Sequence, residues 1–279
     1  MTNSFKAVAL IPAAGHGTRL SPLPMSKELF PIGFAEKITG SERSVYPKVA
    51  CHYLLDGLRA AGITEGFFIL RPSKWDIPNY FGDGSAFGMR LAYLTVHVPF
   101  GVPFSLDQAY PFIQQNIVAL GFPDILISPE GAHRTLLKRL IEGNADIVLG
   151  LFPTDEPHKV GVVDLGSDGQ VVGIYEKSNH IQLRYMWAIA VWRPSFTRFL
   201  HEFVERQLKL LIGVQPSHNL LHLPVYKELS IGDVMHSAIH DGMRVEAEIF
   251  SEGHYIDIGT PENLIKAIRS QIFDGSDGR

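Results

Sequence analysis

The run Lys6-Ala-Val-Ala-Leu-Ile11 is short, apolar and ends in a loop rich in proline and glycine, residues 12–31. A run of that length and character is consistent with a strand buried on both faces, the position strands take in parallel sheets. A chain that opens this way needs a helix to carry it back over the sheet before the next parallel strand. Residues 47–61 supply the expected helix, with apolar side chains at helical spacing and a stop at Gly62. Residues 66–70 (Gly-Phe-Phe-Ile-Leu) then read as the next strand.

The alternation continues. Residues 91–96, 116–120, 145–149 and 186–192 read as strands, and residues 133–143 and 196–211 as helices. Residues 160–165 and 171–175 flank Gly166-Ser-Asp-Gly169, which reads as a hairpin inserted into the pattern. A helix near 231–240, a strand near 244–250 and a helix from Pro261 complete the chain, and residues 274–279 read as a frayed tail. The expected class is α/β with a mixed, mostly parallel central sheet, in which ligands gather at the carboxyl ends of the strands.

Composition narrows the function. The 279 residues are 46% hydrophobic and 19% charged, which excludes a disordered chain. Net charge is −4 with basic residues scattered singly, so neither nucleic acid nor an anionic membrane is an expected partner. There is no run of 18 apolar residues, and no leader pattern is visible after Met1, so a cytoplasmic protein is expected. The single cysteine, Cys51, falls inside the expected helix and reads as a core residue rather than a nucleophile. His236 and His240, and likewise His218 and His222, are four apart without a His-Glu-x-x-His frame, so solvated or partly buried histidines are the better account than zinc.

The most informative stretch is Ala13-Ala14-Gly15-His-Gly17-Thr18-Arg19, followed by Pro22 and by Lys27-Glu28-Leu-Phe-Pro31. Glycines after a buried strand let backbone N–H groups approach an anion. Leu20 stands where a dinucleotide fingerprint needs its third glycine, and no Gly-Lys-Ser/Thr follows for a P-loop. Arg19 and Lys27 add two cations to the same polar loop.

This pattern resembles the sugar-1-phosphate nucleotidylyltransferases, whose signature is Gly-x-Gly-Thr-Arg, a proline, then a lysine near Leu-x-Pro. The resemblance implies a Rossmann-like three-layer nucleotidyltransferase fold over residues 1–279. It divides the chain into a nucleotide-binding part (1–130), a sugar-phosphate part (131–260) and a C-terminal helix and tail (261–279). It implies that Arg19 and Lys27 are catalytic and that Ala13, Ala14, Gly15, Gly17, Thr18, Arg19, Lys27, Glu28 and Gly101 bind the nucleotide. Phe81-Gly-Asp-Gly-Ser85 resembles the segment before the base-binding strand. Gly121-Phe-Pro-Asp124 and His254-Tyr-Ile-Asp257-Ile-Gly-Thr resemble the two metal motifs, with Asp124 and Asp257 holding Mg²⁺. Val160-Gly161-Val-Val and Tyr175-Glu176-Lys177-Ser resemble the sugar side, with Gly161, Glu176 and Lys177 on the sugar phosphate. Lys227-Glu-Leu-Ser-Ile-Gly-Asp233 resembles a further family segment and reads as structural.

By that resemblance the chain is a Mg²⁺-dependent enzyme of nucleotide-sugar synthesis, joining a nucleoside triphosphate to a sugar 1-phosphate, as a homodimer or homotetramer. The base loop departs from the family. The expected glutamine has no counterpart in His97-Val-Pro-Phe-Gly101-Val-Pro103, and Pro103 lacks an N–H. Glu28 stands where thymidylyl-type members often have glutamine, and Met186-Trp-Ala-Ile-Ala-Val-Trp192 replaces a more polar strand, with a bulkier sugar wall if both tryptophans face inward. dTTP and UTP both stay open, as does the alternative of a divergent homologue that binds nucleotide or sugar phosphate with little or no turnover.

Overall fold

Side chains of β1 (Ala7–Pro12) alternate between two buried layers, with Val8 and Leu10 in one and Ala9 and Ile11 in the other. A strand with no wet face must sit inside a sheet covered on both sides, and this one does. The computed structural model describes residues 6–39, 42–97, 100–167, 169–177, 182–214 and 228–270. After β1 come the hairpin β2 (Pro31–Thr39) and β3 (Glu42–Val49), α1 (Ala50–Ala60), β4 (Glu65–Leu70), α2 (Asp76–Phe81) and β5 (Arg90–Thr95). The short α3 (Val102–Asp107) and α4 (Tyr110–Ile113) lead to β6 (Ile117–Leu120), β7 (Ile125–Ser128), α5 (Ala132–Glu142) and β8 (Ile147–Pro153). Then follow β9 (Gly161–Leu165), β10 (Val171–Glu176), β11 (Tyr185–Trp192) and α6 (Pro194–Val214). Last come α7 (Ile231–His240), β12 (Val245–Ile249), β13 (His254–Asp257) and α8 (Pro261–Arg269).

The central sheet has nine strands, seven of them along the path β10-β9-β11-β6-β1-β4-β5, with β8 on β11 and β12 on β8. Only β10 and β11 run against the other seven, so the sheet is mixed and mostly parallel, as expected. Helices α1 and α5 cover one face and α3, α6 and α7 the other, which makes three layers. In β11 a register shift between Trp187 and Ile189 brings Trp187 and Trp192 onto the same face, although they are five positions apart. Trp192 lies fully in the core, where its indole N–H donates to Thr197 Oγ1 at 2.9 Å. It therefore forms no part of a sugar wall.

The loop after β1 and the strands β4 and β6 bear out their readings, and the expected helix from residue 47 is corrected. Residues 47–49 finish β3, paired with β2 through Pro47–Phe34 and Val49–Pro31, so α1 starts only at Ala50. Its first turn is closed by His52, whose Nδ1 accepts the Val49 N–H at 3.2 Å. The hairpin itself has no counterpart in the sequence reading. It pairs only with itself and leaves Phe34 and Val45 outward, so no one-sided alternation marks it.

A two-stranded sheet of β7 and β13 closes the molecule beside the carboxyl end of β6. In its antiparallel register Asp257 pairs with Ile125, and the Ile258 N–H donates to the Asp124 carbonyl at 3.0 Å. Two aspartates about 130 residues apart in the chain therefore meet. His218, His222, Lys227, Ser178 and the tail from residue 271 lie outside the described residues.

Candidate active site

The carboxyl ends of β1, β4, β5 and β6 border a cleft of about 600 Å³. Ala14, Gly15, Gly17, Thr18, Arg19, Lys27, Glu28, Gly101 and Asp124 all line it. Ala13 does not: its side chain is buried and its N–H donates to the Ile69 carbonyl at 2.8 Å, tying the loop's start to β4. Gly259 lines the cleft, two residues after Asp257. Gly101 holds φ +107°, and a Cβ there would lie 2.2 Å from the Leu229 carbonyl oxygen, so only glycine fits this edge.

Charge is concentrated around Lys27. Its ammonium bonds the Asp124 carboxylate, both side chains being largely buried. Burial pulls the Lys27 amine down, but Asp124, with Glu28 and Asp257 behind it, holds it above its ordinary value and charged. Asp257 is pushed up by burial first and by the Asp124 charge second, with Lys27 and Arg19 opposing. It accepts the Gly259 N–H at 2.8 Å, and Arg19 Nη2 stands 4.0 Å from its other oxygen.

Two neighbouring carboxylates, both oxygen donors, fit a hard divalent cation. Among the described residues no group of three or more His, Cys, Asp or Glu could hold a metal. A two-carboxylate arrangement suits Mg²⁺, which binds few protein oxygens and completes its shell from phosphate and water.

The expected sugar-side residues form a second cluster. A Cβ on Gly161 would meet Glu176 Oε1 and Trp187 Nε1, each at 2.6 Å, so the backbone of β9 lies hard against both. Trp187 donates to Glu176 Oε1 at 3.3 Å, and its ring is 6.0 Å from Phe122, which lines the main cleft. Burial raises the Glu176 carboxyl above its ordinary range, with Asp233 adding to the rise and Trp187 opposing it. Lys177 follows with φ +48°, the one non-glycine residue at positive φ among those described, and its N–H donates to the Val160 carbonyl at 3.0 Å.

The nucleotidyl transferase family profile matches residues 8–211. The chain belongs to that family. It is 25% identical over 95% of its length to a glucose-1-phosphate thymidylyltransferase of Streptomyces antibioticus, and 24% identical over 95% to the Haloferax volcanii low-salt glycan biosynthesis nucleotidyltransferase Agl11. It spans 66% of each of those proteins, so close to a third of their length has no counterpart here. A glucose-1-phosphate thymidylyltransferase of Neisseria gonorrhoeae is 27% identical over 92% of this chain and 80% of its own. A 2.76 Å crystal structure of a Bacillus anthracis protein, assigned as a glucose-1-phosphate thymidylyltransferase and holding sucrose, superposes with a TM-score of 0.74. At 19% identity over 96% of this chain and 99% of that one, it bears on the fold alone.

In this nucleotidyl transferase several cleft residues carried no assigned role in the sequence reading, Glu228 among them in a segment read as structural. Arg71 lines the cleft with a buried Nε that has no partner. Ser105 and Glu228 line it as well. The signal for Arg71 was its position one residue past β4, at the carboxyl end where ligands gather. Glu28 lines the cleft, yet it is 1% exposed and paired with Lys74 at 2.5 Å. Burial pushes its carboxyl up, Lys74 pulls it down and Asp124 adds to the rise.

Proposed function

We propose that the chain catalyses nucleotidyl transfer between a nucleoside triphosphate, dTTP or UTP, and a sugar 1-phosphate. The observation that carries this is the convergence of Lys27, Arg19, Asp124 and Asp257 at the mouth of one cleft beside Gly15 and Gly17. A phosphate monoester with a second pKa near 6 is mostly dianionic at neutral pH, so the nucleophile needs no general base. One of its oxygens forms a bond to the α-phosphorus, the bond from that phosphorus to the α–β bridging oxygen breaks, and pyrophosphate leaves with the electron pair. The barrier is anion repulsion and alignment for in-line attack.

In this reading Arg19 and Lys27 hold the β- and γ-phosphates and take up charge on the leaving group. Lys177 holds the attacking phosphate, Glu176 accepts a sugar hydroxyl and Gly161 admits the sugar to the backbone. Asp124 and Asp257 would hold Mg²⁺, which when bound supplies charge neutralisation at the α-phosphate. Residues 1–130 then serve the nucleotide and residues 131–260 the sugar phosphate, with the C-terminal segment from residue 261 outside both.

A second reading, a homologue that binds without turnover, is favoured by one observation. Glu176 Oε1 already accepts the Trp187 indole N–H at 3.3 Å, so a sugar hydroxyl would have to share that carboxylate with a bulky indole. The deciding experiment is pyrophosphate release with Mg²⁺, dTTP, UTP, CTP, ATP and GTP each tested against a panel of sugar 1-phosphates. Release from one pair, abolished in Lys27→Ala, supports transfer. Calorimetric binding of nucleotide without release from any pair supports the second reading.

A further inference from the structure

Lys27 stands between two residues that are both held by one short segment from another strand. Ser26, before it, gives its N–H and its hydroxyl to the two carboxylate oxygens of Asp76, at 2.6 and 2.7 Å. Glu28, after it, receives the Lys74 ammonium at 2.5 Å in a pair whose side chains are 2% and 8% exposed. Lys74 and Asp76 flank Trp75 in the turn that leads from β4 into α2. Leu29 anchors the loop in the core at 7% exposure, but Lys27 itself lines both the main cleft and a second cavity of about 430 Å³ that Lys74, Trp75 and Asp76 also line. A lysine has a flexible four-carbon stem and a compact charge, so a loop between two cavities sets its position poorly without such anchors.

We propose that Lys74 and Asp76 are positioning residues for Lys27, holding the residues on either side of it so that its ammonium meets the triphosphate in one place. The proposal rests on Lys27 acting on the phosphates. A buried ion pair is a weak source of stability, because desolvating both charges offsets most of their attraction, and its best-attested use is to fix one arrangement. The Glu28–Lys74 pair sits where such an arrangement matters, since Glu28 is covalently next to Lys27 and faces the same cleft. Glu28 Oε2 has no protein partner, so Lys74 alone anchors that carboxylate through its side chain.

The test compares the parent with Lys27→Ala, Asp76→Ala, Lys74→Met, Glu28→Gln and the double variant Lys74→Met/Glu28→Gln. Pyrophosphate release is measured with the pair that the panel identifies, and folding is checked by circular dichroism and melting. Lys74→Met and Asp76→Ala are expected to lower kcat by about 10–100-fold with KM changed by less than about threefold, because a shift near 1 Å suffices for such a loss. Adding Lys74→Met to Glu28→Gln is expected to cost less than about threefold more, as coupled residues behave. An equal cost of Lys74→Met in both backgrounds, or parental kcat in the folded Lys74→Met and Asp76→Ala variants, overturns the proposal while an impaired Lys27→Ala leaves the role of Lys27 standing. Parental kcat in Lys27→Ala overturns that role and the positioning with it.

Asp76→Asn, which keeps one acceptor for Ser26, serves if Asp76→Ala does not fold; partial loss supports the proposal and full rate overturns it. A second readout needs no turnover. Pyridoxal phosphate with borohydride tags accessible lysine amines, and the rate of tagging at Lys27 is read by peptide mapping in the parent and the variants. A labelling rate changed by about threefold or more in the positioning variants supports displacement of the amine, and an unchanged rate overturns it.

Discussion

Asp257 is the expected metal ligand whose carboxyl is pushed up, first by burial and then by the neighbouring Asp124. If it holds Mg²⁺ together with Asp124, Asp257→Asn raises the half-saturating Mg²⁺ concentration by roughly tenfold or more. A Mg²⁺ titration of pyrophosphate release reads this directly, and an unmoved midpoint removes Asp257 from the site. Lys27→Ala is expected to lower kcat by about 10²–10³-fold, the range for losing one donor to transition-state charge. A loss below tenfold in a folded variant counts against that role. Two histidines far from this chemistry govern acid stability. Burial holds His52 and His133 at about 4. Each therefore binds fewer protons when folded than when unfolded, where its pKa is near 6.5, so stability is full above 6.5 and falls as pH drops towards 4. By pH 5 the loss is about 2 kcal/mol per histidine. Denaturant melts at pH 7 and pH 5 check this, and a flat profile in that window refutes it. For His52 the cause is visible, since protonating Nδ1 removes its acceptor from the Val49 N–H that starts α1.

Among the elements, the hairpin of β9 and β10 was legible because two apolar runs flank Gly166-Ser-Asp-Gly169, and β1 because its run is apolar on both faces. The hairpin of β2 and β3 was not, since it pairs with no other strand and carries Pro31 and Pro47 where a strand is least expected. The same split holds in the site. Gly15, Gly17, Arg19 and Lys27 lie within one stretch, and the structure places all four on the same cleft. The partner of Glu28 lies 46 residues on, at Lys74, and no local pattern could pair them. The meeting of Asp124 with Asp257 depends on the register of β7 against β13, and β7 is four residues long. The packing of β9 against β11 gives its own prediction. In Gly161→Ala the new methyl must displace Glu176 or Trp187, at a cost of about 1–3 kcal/mol if the fold absorbs it. Melting measures that cost, and KM for the sugar 1-phosphate is expected to rise while KM for the triphosphate holds. Parallel changes in both would place Gly161 outside the sugar side.

At the scale of the whole molecule, the sheet and the site are completed by different parts of the chain. The nine strands β1, β4 to β6 and β8 to β12 build the layered core, whereas β13 adds no strand to that sheet and pairs only with β7. Around this pairing lies a separate small core of Ile32, Ala50, Leu126, Ile256, Ile258 and Ala267. Hydrogen exchange is expected to show the amides of β7 and β13 opening together, at lower free energy than those of β1 and β6. Equal protection in both groups would mean that the small sheet opens only with the whole. No helix among the described residues is long and apolar enough to cross a membrane. The order of synthesis then acquires a meaning. When Asp124 leaves the ribosome, the glycine loop, Arg19 and Lys27 are already made, but the strand that brings Asp257 is still about 130 codons away. At ~5–20 residues per second, that is on the order of ten seconds. During translation the growing polypeptide therefore carries the glycine loop and Lys27 with Asp124 alone, and Asp257 joins them only once β13 is made and pairs with β7.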